Sequence, residues 1–314
     1  MNVNLPAIFK KLLPKKITDQ YAGFSIKDKA VCLVKLQLIE GDWVCVLAEE
    51  FPLQSPEQLP LLFEQIINSK DLSGVPSTII IPSKKVESIQ IDLSELPPVD
   101  TQAALPWKIK ELVSIPPQEM ICDYIEMDIQ PFGQPVKAQV MVTSRQYLES
   151  FLNVFHEQHV PVKAITTEQF VLARMQSSED AAQLLFVQHK NLEAILLILK
   201  NQQICFARKI RGTDTVINMP PDQVKEYGAD MIAIEIQRSV DYYESQLKQP
   251  PIKNVLIAMA GENESLLIDI LNTSLPIKTV KAEYAMVKDD TGTLSLNYLA
   301  SLGGALYALQ EEAK

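Results

Sequence analysis

Tyr21–Leu36 reads YAGFSIKDKAVCLVKL, a strand, a tight turn and a second strand. A hairpin of this form holds phosphate when it runs Gly-apolar-Asp-Ile-Gly-Ser. The Asp then holds hydrated magnesium, and the second Gly lets backbone N–H groups reach the phosphate. Here the frame is Gly23-Phe24-Ser25-Ile26-Lys27-Asp28, with Ser25 at the Asp position and Lys27 at the Gly position. The expectation is the scaffold of a nucleotide-binding machine without its chemistry, a structural or assembly protein rather than an enzyme.

The chain around this hairpin has 314 residues, room for roughly two domains of about 150 residues each. A hydrophobic share of 47% supports a core and argues against disorder. Lys and Arg total 29 against 39 Asp and Glu, a formal charge of −10, which argues against nucleic-acid partners. The most apolar run, Ala194 to Leu199, falls far short of the ~20 residues that span a bilayer. The N-terminus lacks the apolar core and cleavage site of a signal peptide. Cys32, Cys45, Cys122 and Cys205 form no CxxC pair and sit in strand-like apolar stretches, so they read as reduced core thiols of a cytosolic protein. His156, His159 and His189 show no metal-ligand spacing, and no metal site is expected.

Outward from the hairpin, the N-terminal segment is distinct. Leu5, Ile8, Phe9, Leu12 and Leu13 recur at helical spacing, the only charges are Lys10, Lys11, Lys15 and Lys16, and Pro14 ends the pattern. Such an arm either lies on an anionic membrane, with Phe9, Lys10, Lys11 and Leu12 as contacts, or docks on protein. Downstream, strands are expected at Asp42–Ala48 and Ser77–Pro82 around a helix at Pro56–Asn68, and Ser94–Asp100 marks a boundary. A helix (Thr101–Val113), strands Met120–Asp128 and Val136–Thr143, and a helix (Arg145–His159) then make a compact unit. From Gln183 the pattern restarts. Strands are expected at Gln183–Gln188, Leu192–Leu199 and Gln203–Ile210, a long helix at Asp222–Leu247, a strand at Asn254–Met259, a helix at Asn263–Asn272, a strand near Ile277–Val280 and a last helix at Ser295–Gln310. A strand-hairpin-helix plan occurs twice, which is the layout of two related halves with an insertion.

Leu105–Met127 (LPWKIKELVSIPPQEMICDYIEM), Phe206–Gly212 (FARKIRG) and Glu235–Gln246 (EIQRSVDYYESQ), in this order, resemble the PilM-like cytoplasmic proteins of type IV pilus machines. The resemblance covers nearly the whole chain. It implies an α/β, actin-like fold of the ribonuclease H type, with an inserted subdomain like that of the cell-division protein FtsA. On that pattern residues 1–19 are the arm, 20–95 the first domain (completed by 160–180 and 295–314), 96–160 the insertion and 181–294 the second domain. It also implies a place peripheral to the inner membrane on its cytoplasmic face, with other platform proteins nearby. The implied partner is the cytoplasmic tail of a PilN-like single-pass inner-membrane protein. Many members bind ATP between the halves, so ATP or ADP, with or without magnesium, is the implied ligand.

Against that pattern the nucleotide positions are degenerate. In the second hairpin Gln188 stands at the Asp position and Lys190 at the Gly position. The adenosine segment, usually apolar-Ser-Gly-Gly, is Ile257-Ala258-Met259-Ala260-Gly261. No cofactor and no catalytic residue are expected; Lys27 and Lys190 are either cations for phosphate or solvated turn lysines. The rival readings are an ATP-gated switch of the same platform and an FtsA-like polymerising membrane adaptor. Partner contacts are expected around Leu105, Trp107 and Ile109 and on the strand bearing Cys122 and Tyr124, as an extended peptide in a groove. Trp107 is alternatively a core residue of the junction. Glu235, Arg238 and Asp241 read as a surface ion-pair ladder, Arg208 and Arg211 as solvated charges, and Tyr242 and Tyr243 as packing residues.

Overall fold

A computed structural model describes residues 18–92, 101–127, 129, 135–284 and 287–313. The N-terminal arm with Phe9, Lys10, Lys11 and Leu12, and the boundary at 94–100, lie outside the described residues.

β1 (Gln20–Ile26) and β2 (Ala30–Ile39) form the expected hairpin, with Gly23 opposite Val34 and Ser25 opposite Cys32. β3 (Asp42–Pro52) returns antiparallel on β2, and α1 (Leu59–Ser69) crosses over to set β4 (Ser77–Ile80) parallel to β1. β5 (Glu87–Asp92), α2 (Thr101–Ile109), β6 (Met120–Glu126) and β7 (Lys137–Ser144) build a separate sheet of order β5-β7-β6. α3 (Arg145–Glu157) leads to β8 (Val162–Thr166), parallel to β4, and α4 (Glu168–Met175) follows.

The plan then repeats. β9 (Gln183–Gln188), β10 (Ala194–Lys200) and β11 (Gln203–Ile210) form an antiparallel meander. α5 (Ala229–Asp241) leads to β12 (Asn254–Met259), and α6 (Glu264–Ser274) to β13 (Lys278–Lys281), both strands parallel to β9. The second sheet, β11-β10-β9-β12-β13, thus matches β3-β2-β1-β4-β8 strand for strand. β14 (Lys288–Asp289) adds an edge beside β3, and α7 (Leu299–Ala313) ends the described chain. The fold is the expected α/β architecture of two ribonuclease H-type sheets.

Each layer follows from which face of a strand is apolar. Phe24 on β1 meets Phe63 of α1 and Phe155 of α3 edge to face, with centroids 5.6 and 5.2 Å apart. On the opposite face, Val34 and Leu36 of the first sheet share one cluster with Leu185 and Leu197 of the second. Leu172 of α4 and Leu302 of α7 sit in that same cluster, so these two helices fill the space between the sheets. The outer face of the second sheet, with Phe186 and Leu196, is covered by Ile232 and Ile236 of α5 and Leu267 of α6.

The contact between α7 and β1 is a close approach of backbones. A Cβ on Gly23 would fall on the Ser301 carbonyl oxygen and 2.6 Å from the Ala305 nitrogen. A Cβ on Gly304 would lie 3.4 Å from the Gly23 Cα. Ser301 Oγ also donates to the Cys32 carbonyl at 3.0 Å.

The insertion differs from the reading of the sequence. β5 was not expected, yet Ile89 and Ile91 alternate with Ser88 and Gln90, a period-two pattern that pairs along β7. α3, assigned to the unit 96–160, buries Phe151 and Phe155 in the first half instead, so the three-stranded unit is drawn from 87–144. α2 stops at Ile109 rather than Val113. Leu112 N–H donates back to the Ile109 carbonyl, and Ser114 is drawn to the Glu87 carboxylate. The long helix expected at 222–247 is present from Pro221 to Gln246, with π-helical turns at Val224–Gly228 and Tyr242–Gln246 on either side of α5.

Gly23→Ala forces α7 off β1. Overpacking of this kind costs about 1–3 kcal/mol or more, and each kcal/mol lowers Tm by roughly 2–4 °C in domains of this size. A thermal melt should show Gly23→Ala clearly destabilised and the exposed turn glycine variant Gly74→Asn close to wild type; equal melts would remove the backbone-contact argument.

Candidate functional site

The first hairpin is tied to the start of the last helix. Lys27 Nζ donates to the Asn297 carbonyl at 2.8 Å, contacts the Asn297 side-chain oxygen, and lies 4.0 Å from Glu50. Asn297 Nδ2 donates to Glu50 Oε2 at 2.6 Å, and the Cys32 thiol faces the same oxygen at 3.4 Å. The Asn297 bond, then Cys32 and Lys27, hold the Glu50 carboxyl below its usual range, while burial pushes the Cys32 thiol up to about 11. Lys27 is therefore an engaged cation within a structural network. Ser25 is buried in β1, and Gly23 serves helix packing.

The second hairpin is closed from within. Gln188 is fully buried, and its amide nitrogen donates to the carbonyls of His189 (2.9 Å) and Leu192 (2.6 Å). Its amide oxygen accepts from Thr213 Oγ1 at 2.6 Å. A neutral carboxamide with both ends engaged suits a buried position where a carboxylate would need a cation. Lys190, beyond it, is exposed. At the third segment Gly261 has φ +90°, and a Cβ there would lie 2.9 Å from Ile217 Cγ2 and 3.3 Å from the Ile217 carbonyl oxygen. Asn263 Nδ2 donates to the carbonyls of Val216 (2.9 Å), Ile217 (3.3 Å) and Met219 (2.9 Å). The 3-10 turn Asp214–Asn218 thus packs against the glycine that an adenosine would approach.

A link that the sequence reading missed joins α4 to the second hairpin. His189 Nε2 and Glu168 Oε1 are 2.6 Å apart and largely buried. Burial pushes the Glu168 carboxyl up, but the charge and hydrogen bond of His189, with Lys27 and Lys209, outweigh it and hold it below its usual range. Burial, then Glu264 and Glu168, drive the nearby Tyr284 hydroxyl upward, and it has no hydrogen-bond partner among the described residues. A lone His directly after a buried strand was the available signal. Among the described residues no cluster of His, Cys, Asp and Glu could hold a metal ion, and no helix is long and apolar enough to cross a membrane.

The expected partner residues separate. Leu105 and Ile109 are fully buried against Met120, Val140 and Val142, so they are core of the three-stranded unit and not contacts. The alternation of α2 explains this, since residues four apart share a face. Trp107 lies on the other side and is 60% exposed, so it is not a core residue of the junction. Cys122 and Tyr124 are half-buried on β6, an edge strand. Two cavities of about 160 and 200 Å3 lie away from the hairpins, between Met127–Ile129 and β11, sharing Ile204 and Cys205. Arg208 is not solvated: it pairs with Glu235 at 2.8 Å and donates to Ser239 Oγ at 3.0 Å. Arg211 is exposed and pairs with Glu193 at 2.6 Å. In the expected ladder Glu235 and Arg238 meet at 2.7 Å, but Asp241 is taken by Gln237. Tyr243 is core, whereas Tyr242 stacks at the surface on Phe206, 4.9 Å between centroids.

No protein-family model matches the sequence. No curated protein matches it. Among solved structures, the PilM-PilN type IV pilus biogenesis complex superposes with a TM-score of 0.63 at 14% identity, over 93% of this chain and 99% of that one. The cytoplasmic domain of EpsL, an inner-membrane component of the Vibrio cholerae type II secretion system, gives 0.48 at 10% identity, over 94% of each chain. A Bacteroides thetaiotaomicron protein with an actin-like ATPase fold gives 0.46 at 11%, over 91% of this chain and 96% of that one. The chain has the actin-like fold and is similar in structure to PilM.

Glu168 supplies a pH test. Its folded carboxyl titrates below the free value of about 4.3, so its contribution is complete above that value and is lost as pH falls through the folded one. Glu168→Gln should lower Tm at neutral pH, with the deficit shrinking as the pH is taken down through the acid range. A deficit that stays constant down to acid unfolding would remove the charge from the link.

Proposed function

We propose that this protein is a cytoplasmic scaffold of a type IV pilus assembly platform, peripheral to the inner membrane, with a pseudo-nucleotide site. The likeness of fold to PilM supports the platform reading. The observation that carries the second half is Gln188. The residue at the carboxylate position is neutral, fully buried and hydrogen-bonded at both ends inside its own half. With Ser25 in the matching position of the first hairpin, the two sites where a carboxylate would hold magnesium offer none. Phosphoryl transfer depends on positioning and charge neutralisation. The residues present do not fit a magnesium nucleotide, and the protein works by binding.

The proposed ligand is the extended cytoplasmic tail of a PilN-like single-pass membrane protein. Trp107 and the half-buried Tyr124 and Cys122 on edge strand β6 offer an aromatic anchor and backbone groups for such a peptide. Leu105 and Ile109 act indirectly, by holding α2 against the sheet. The segments Leu105–Met127, Phe206–Gly212 and Glu235–Gln246 favour a pilus of the mannose-sensitive haemagglutinin type within this group.

Titration with a fluorescent ATP analogue, with and without magnesium, should show no saturable binding; tight, saturable binding would make the ATP-gated switch the leading reading. Trp107→Ala should weaken binding of the PilN-like tail at least about tenfold, near 1.4 kcal/mol, with Tm unchanged because the side chain is exposed. Leu105→Ala should instead cost about 2–5 kcal/mol of stability. Unchanged peptide affinity in the folded Trp107→Ala protein would strike that residue from the interface.

A further inference from the structure

α5 carries apolar side chains that the core does not use. Its inner face is spent on the second sheet through Ile232, Ile236 and Val240. On the other side Ile234 is 51% exposed, and Tyr227 and Tyr242, in the π-helical turns at either end, are 42% exposed each. With half-buried Met231 and exposed Arg238 these positions step by four, three, four and four residues. That is a narrow seam returning to one side of the helix, the form that a partner helix fills. π-helical turns are uncommon and gather at functional sites; here they flank the seam.

The rim of the seam is acidic. Asp222, Glu226, Asp230 and Asp241 are exposed around it against one exposed lysine, Lys225, and the Arg238 guanidinium is held by Glu235 at 2.7 Å. The complement is a basic amphipathic helix with apolar residues at matching steps. The sequence contains such a pattern. Leu5, Phe9 and Leu12 step by four and three, Lys10, Lys11, Lys15 and Lys16 flank them, and residues 1–16 hold no acid. We propose that the outer seam of α5 docks residues 1–16 of a second copy of this chain. Such a contact is heterologous, so copies add head to tail rather than closing as a symmetric pair.

The test is fluorescence anisotropy of a labelled peptide of residues 1–16 titrated with the full chain, paired with sedimentation of the full chain over a wide concentration range. Saturable peptide binding, weakened by salt, with concentration-dependent association of the chain is expected. Ile234→Lys should weaken both at least about tenfold; the side chain is exposed, so the circular dichroism spectrum should stay that of wild type. The pair Lys10→Glu/Lys11→Glu, which leaves the α5 seam intact, should weaken peptide binding when made in the peptide and chain association when made in the chain. Absence of peptide binding overturns the proposal, as does binding that survives Ile234→Lys. A chain that stays monomeric while binding the peptide overturns the second-copy contact. Cosedimentation of the chain with phosphatidylglycerol vesicles, lost in Lys10→Glu/Lys11→Glu, without peptide binding, assigns the arm to lipid and overturns it too.

Discussion

The packing of α7 on β1 through Gly23 and Gly304 is the constraint on which the rest of the molecule depends. Backbone meets backbone there, with the Ser301 carbonyl in the space a Gly23 side chain would occupy. α7 thereby lies low enough on the first sheet for its other side chains, Leu302 and Ala305 among them, to join Leu185 and Leu197 of the second sheet in one cluster. The relation between the halves is set by this cluster, since α4 and α7 fill it together. Any side chain at position 23 lifts α7 and opens the seam between the sheets. The glycine that heads a phosphate hairpin is thus required here by packing alone.

The hairpins show how buried polar positions are satisfied within the chain. A buried carboxylate facing a cleft is costly unless a cation accompanies it. Gln188 removes that requirement: it is neutral, and the His189, Leu192 and Thr213 groups around it satisfy its donors and acceptor. In the first hairpin, Lys27 is taken up by Asn297 and Glu50, so the charge is internal. Asn263 does the same for three carbonyls of the turn at Val216–Met219. Gln188, Lys27 and Asn263, one in each segment, are thus bonded within the chain.

The two halves were legible in the sequence because β1, β9 and β12 are nearly continuous apolar runs, which is what a sheet covered on both faces demands. The insertion was less legible. Its strand β5 is half-exposed and short, and it follows a turn of lysines, so local pattern was weak although the alternation of Ile89 and Ile91 was present. α3 misled for a different reason. Its stripe of Leu148, Phe151 and Phe155 shows that one face is buried but not against which sheet, and the aromatic contacts with Phe63 and Phe24 decide it. The same limit applied to α2, where the apolar residues Leu105 and Ile109 were read together with Trp107 although they lie on opposite sides of the helix. The pair His189 and Glu168 was invisible because its members are 21 residues apart and meet only through tertiary structure.

In the scaffold proposed here, the coupling between the halves is held by the chain itself. A nucleotide-gated protein needs halves that separate, with the ligand supplying the differential contact that closes them. Here the link between α4 and the second hairpin is made by Glu168 and His189 themselves, beside the apolar cluster that the two sheets share. Opening the seam would expose that cluster and leave the Glu168 carboxylate without its partner, and both changes are costly. The surfaces left for function are therefore outward ones: Trp107 on the insertion and the acidic α5 seam on the second half. Holding neighbours at a fixed spacing through two such faces is the work proposed for this body.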